Sequence, residues 1–154
     1  MTVSHKDLPN SELHEPKGVS AATAGTVYVA NGAGTGTWSA PRYFYTLTVQ
    51  MADLSTPGSV YIPVPISGTI TKISSAIGAV IATADSVVTG YIGATPITNG
   101  SLTVAYSGSA IGDVDSCSPS ALNAVSAGNL ITLTSDGGST NTCPTTFVVT
   151  IQVN

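Results

Sequence analysis

Alternating apolar and polar positions dominate this chain from residue 43 onward. Tyr43, Tyr45, Leu47, Val49 and Met51 point to one side of an extended chain, while Phe44, Thr46, Thr48 and Gln50 point to the other. Val60, Ile62, Val64 and Ile66 alternate in the same way with Tyr61, Pro63 and Pro65. Because proline cannot donate to a ladder, that second run belongs at a sheet edge or across a bend between sheets. Further strands are predicted at 68–73, 86–92, 101–106, 129–134 and 147–153. Thr98-Asn-Gly100 and Ser135-Asp-Gly-Gly138 supply turn chemistry between them. The one helix-like stretch, Ser118 to Asn123, is a single turn at most.

Seven or eight strands in this length predict an all-β fold, an antiparallel two-sheet sandwich over residues 42–154. A jelly roll is the favoured topology, and an immunoglobulin-like order has the same periodicity. Ahead of the sandwich, Gly25-Thr-Val-Tyr-Val-Ala30 and Thr35-Gly-Thr-Trp-Ser39 flank Asn31-Gly-Ala-Gly34, whose residues tolerate the positive φ of a tight reversal. Residues 25–41 therefore read as a short hairpin and linker. Residues 1–24 show no apolar period and read as an extended arm that needs a partner surface.

Charge sharpens this division. Residues 1–17 hold His5, His14, Lys6, Lys17, Asp7, Glu12 and Glu15, whereas the remaining chain carries only Arg42, Lys72 and five aspartates. The charged fraction is 8 %, against roughly 25 % in ordinary domains, so Ser, Thr, Asn and Gly must cover the exterior. Such a weakly hydrated surface is suited to burial against other subunits. A formal net charge of −4 with no Lys/Arg cluster removes the electrostatic basis of nucleic-acid binding. No apolar run of membrane-spanning length exists, and the start of the chain lacks the pattern of a secretory signal.

Chemistry-bearing patterns are sparse. His5 and His14, with Asp7, Glu12 and Glu15 nearby, match no metal-ligand spacing, and Asp113 and Asp115 read as loop caps rather than a calcium site. Outside the arm there is no histidine to serve as a base, and no nucleophile elbow. The expectation is a non-enzymatic protein with no cofactor and no metal. Cys117 and Cys143 lie 26 residues apart, which leaves a single disulfide open to them. Trp38, Tyr43, Phe44 and Tyr45 crowd four of the nine aromatics into eight residues. Of these, Trp38, Tyr43 and Tyr45 are the candidate subunit-interface residues, with a sugar-stacking platform as the alternative.

The run Ser4-His-Lys-Asp-Leu-Pro-Asn-Ser-Glu-Leu-His-Glu-Pro-Lys-Gly18, followed by Ala24-Gly-Thr-Val-Tyr-Val-Ala-Asn-Gly32 and a Gly/Ser/Thr tract ending at Trp38, resembles the N-terminal region of small virion proteins of tailed bacteriophages. Residues 123–137 and 147–153 resemble the β-sandwich bodies of phage head-decoration and fibre-type proteins. The resemblance implies a protein made in the host bacterial cytoplasm and carried on the virion. It would dock on the major capsid protein through an arm that includes His5, Leu8, Leu13, His14, Pro16 and Lys17, with a body that assembles as a homotrimer. The alternative it implies is a tail or fibre component that binds a host receptor or carbohydrate.

Overall fold

The computed structural model describes residues 21–33 and 35–153. The chain separates into two units, one ending at Arg42 and one spanning Tyr43–Val153.

In the first unit, strands β1 (Val27–Ala30) and β2 (Gly36–Ser39) form an antiparallel hairpin with Tyr28 opposite Trp38. Asn31 organises the reversal. Its carboxamide oxygen accepts the Ala33 amide at 2.9 Å and its backbone N–H donates to Thr35 O at 2.9 Å, while Gly32 takes φ +75°. The rings of Tyr28 and Trp38 meet edge to face with centroids 5.4 Å apart. Gly36 is required opposite Ala30, because a Cβ there would run into the Val29 carbonyl oxygen and lie 2.8 Å from Tyr28 Cε1.

The second unit contains β3 (Tyr43–Met51), β4 (Gly58–Pro63), β5 (Gly68–Ile77), β6 (Ser86–Ile92), β7 (Thr95–Val104), β8 (Val114–Cys117), β9 (Ala124–Val125), β10 (Leu130–Ser135) and β11 (Thr145–Val153). They form two antiparallel sheets, β4-β10-β6-β7 and β3-β11-β5-β8, with β9 added to β5. This is the expected all-β sandwich. The pairs β3/β11, β4/β10, β5/β8 and β6/β7 succeed one another as in a single long two-stranded ribbon. Further pairing of β5 with β11 and of β6 with β10 wraps that ribbon into two layers.

The period-2 pattern explains the core. Phe147, Val149 and Ile151 of β11, with Ile70, Ile73 and Ile77 of β5, face Ile131 and Leu133 of β10, Val88 of β6 and Leu102 of β7 in one buried cluster. At roughly 1.5–3 kcal/mol for each fully buried large apolar side chain, this cluster is the main stabilising term. Loop residues Leu54 and Ile81 close it. β4 lies at a sheet edge, as Pro63 requires.

Two local expectations are corrected, and two short strands are added. Thr98-Asn-Gly100 is not a turn between strands but an irregularity within β7. The reversal after β6 is made at Gly93, with φ +59°, and the register against β6 shifts where Asn99 takes φ +54°. Ser118–Asn123 is not helical, since Ala121 forms an isolated bridge to Thr98. Strands β8 and β9, too short to show a period, were not predicted.

Candidate functional site

Three sandwich edges are blunted and one is not. β4 ends in Pro63, β7 contains Pro96 and the Asn99 irregularity, and β8 is four residues long and carries Asp115. β3 is nine residues long and contains no charge, no proline and no positive φ. Among the described residues it pairs with β11 on one side only, Tyr43 opposite Val153 and Tyr45 opposite Ile151. An unprotected, uncharged edge is a template for another strand or a packing partner.

The aromatic cluster sits at the start of this edge. Tyr43 is 63 % exposed, Phe44 64 % and Tyr45 43 %, whereas Met51 at the other end of β3 is buried. The alternation therefore buries side chains only in the second half of the strand, and in the first half both faces present rings to solvent. Trp38 belongs to the hairpin unit, half-buried against Tyr28, so the cluster that is compact in sequence is divided between two units. The alternation puts Phe44 on the polar side of the strand, and it is as exposed as Tyr43 on the other side.

The hairpin unit holds a cavity of about 400 Å³ lined by Val27, Val29, Ser39, Ala40, Pro41 and Arg42. Val27 and Val29 are exposed. Their alternation marks them as one face of β1, but the sequence does not show that this face is left uncovered.

The arm residues His5, Leu8, Leu13, His14, Pro16 and Lys17, and the carboxylates Asp7, Glu12 and Glu15, lie outside the described residues. Among the described residues no three His, Cys, Asp or Glu side chains gather as metal ligands would. Asp113 caps its loop by accepting the Ala110 amide at 2.6 Å. Asp115 is held above the usual carboxylate range by burial first, then by the negative charges of Asp113 and Asp85. Asp53 is lowered to about 2, chiefly by the Ser55 hydroxyl at 2.7 Å and then by the Cys143 amide at 3.0 Å. It ties the β3–β4 loop to the segment before β11.

Cys117 and Cys143, whose spacing leaves a single disulfide open, are free thiols in this structure. Cys143 is buried and directs its sulfur to the Ala79 carbonyl at 3.1 Å. Cys117 is on β8 opposite Ile73, and burial raises its pKa. Each thiol is placed by its own neighbours rather than by the other.

Compared with known proteins, the chain matches no protein-family model and no curated protein.

Proposed function

We propose that this chain is a non-enzymatic structural protein of a tailed-bacteriophage virion, which decorates and stabilises the capsid exterior. Residues 1–24 attach it to the major capsid protein, and the body from residue 42 onward shares surface with two further copies in a homotrimer. The observation that carries this reading is the partition of the chain. The described body closes its own core, while both histidines and five of the twelve Lys, Arg, Asp and Glu residues are gathered in segment 1–17, a composition suited to attachment. The β3 edge, uncharged and paired on one side only among the described residues, carries the exposed Tyr43, Phe44 and Tyr45 and supports burial against another subunit, for which aromatic rings are well suited. We read the wrapped ribbon as a jelly roll, since its sheet orders follow from folding one long hairpin over itself.

The direct experiment uses heads lacking this protein. The full chain and a variant deleted for residues 1–17 are mixed with heads and sedimented. The full chain should pellet with the heads while the truncated chain, folded by circular dichroism, stays in the supernatant. Equal binding by both would overturn arm attachment.

A tail or fibre role in host-surface binding is the second reading. Tyr61 of β4 and Tyr91 of β6, each opposite Thr132 of β10 on the four-stranded sheet, favour it.

A further inference from the structure

The outer face of the sheet β4-β10-β6-β7 differs from an ordinary solvated face. No residue of these four strands is charged. Cross-strand register places Tyr61, Thr132 and Tyr91 side by side in one row, with Thr132 opposite both tyrosines. The next row carries Ser59, Thr134, Thr89 and Ser101. The inward neighbours Ile62, Leu133 and Val88 are buried, which fixes both rows on the outside.

The rows are chemically complementary. Ser59 Oγ and Thr134 Oγ1 are 2.8 Å apart, and Thr89 Oγ1 and Ser101 Oγ are 3.0 Å apart. In each pair one hydroxyl donates to the other, so the accepting hydroxyl keeps its own proton, and lone pairs remain on both. The result is a strip of neutral donors and acceptors facing solvent. Beside it, Tyr61 is 60 % exposed and Tyr91 half-buried. β10 lies between them, so two strand spacings set the tyrosines roughly 10 Å apart, room for two sugar rings of one oligosaccharide with a further unit between them over the short Thr132.

We propose that this face binds a neutral glycan, with two sugar rings against Tyr61 and Tyr91 and sugar hydroxyls exchanging hydrogen bonds with the Ser/Thr row. A pyranose offers an apolar C–H face and a rim of hydroxyls, which matches rings and hydroxyls in adjacent rows. The absence of cationic side chains disfavours phosphate, sulfate and nucleic acid. The inference does not rest on capsid decoration and concerns a surface remote in sequence from the arm.

The test is amide-shift NMR and calorimetry of the full chain titrated with cellotetraose, maltotetraose and N-acetylchitotetraose. At least one should bind at millimolar concentration or tighter, shifting the Thr132 and Thr134 amides. Tyr61→Ala and Tyr91→Ala should each weaken that binding about tenfold, a loss in line with one aromatic contact, while Tyr→Phe at either position retains it. Unchanged thermal unfolding of the variants separates lost contact from lost fold. Absence of shifts with all three saccharides, or binding that survives the double alanine change, overturns the proposal. So does a change of oligomeric mass in the double variant, which would assign the face to contact between copies. Loss of glycan binding would leave capsid attachment unchanged, so the two proposals fail separately.

Discussion

Two buried serines should answer the same substitution with opposite signs. Ser75 of β5 is 2 % exposed, stands opposite Phe147 and Asp115 in the register of its neighbours, and its hydroxyl has no hydrogen-bond partner among the described residues. Ser135 at the end of β10 is 1 % exposed, donates to Leu54 O at 2.7 Å and accepts the Gly137 amide at 3.1 Å. An unpaired hydroxyl taken from water costs about 1–3 kcal/mol. Ser75→Ala removes that penalty and leaves a void of one oxygen, smaller than a methylene worth about 0.8 kcal/mol. It should therefore stabilise by about 1 kcal/mol. Ser135→Ala breaks these two hydrogen bonds and a third with Ser86 Oγ at 3.2 Å, and orphans the Gly137 N–H. Leu54 O retains Ser86 Oγ at 3.2 Å, so the loss should be about 1–2 kcal/mol. For a domain of this size 1 kcal/mol moves Tm by about 3–5 °C. Urea unfolding with a constant m-value, checked by thermal melts, reads both shifts. If both variants are destabilised, or Ser75→Ala has no effect, the hydroxyl of Ser75 is satisfied in solution and the reasoning fails.

The lowered pKa of Asp53 means that its ionised form stabilises the fold above pH about 4, and this stability should fade as pH drops toward about 2. Asp53→Asn should be less stable than the wild type at pH 7, with the gap narrowing across that window in acid melts. Asp115 has the opposite sign: with its pKa raised, ionisation weakens the fold as pH rises above 3.8. Asp115→Asn should thus raise Tm at pH 7 and lose its advantage in acid. For the cysteines, non-reducing mass spectrometry should find two thiols, both alkylated in urea, with Cys143 protected in the native protein.

The long strands were legible because burial on one face imposes a period of two, which β11 displays over nine residues. Pro63 gave the edge position of β4 for the same kind of reason, since a missing N–H excludes it from a ladder centre. β8 and β9 were not legible, because four and two residues leave no room for a period and their pairing depends on β5, distant in sequence. Asn99-Gly100 carries the local signature of a turn, yet the same positive φ serves a strand irregularity, and tertiary pairing chose the latter. Of the candidate interface, the aromatic identities at Tyr43 and Tyr45 could be read directly. Their exposure could not, because alternation predicts which side a residue faces without saying where the covering layer ends. Tyr61 and Tyr91, 30 residues apart, become a pair only through β10 between them.

Attachment to and strengthening of a capsid is tested most directly by heating. Heads with and without the protein at full occupancy are warmed, and DNA release is followed by dye fluorescence. A protein that binds the assembled lattice and not its separated subunits must raise the release temperature by linkage. Release displaced to higher temperature by the full chain, and not by the chain lacking residues 1–17, is the expected result. Superimposable curves with and without the bound full chain would contradict a stabilising role.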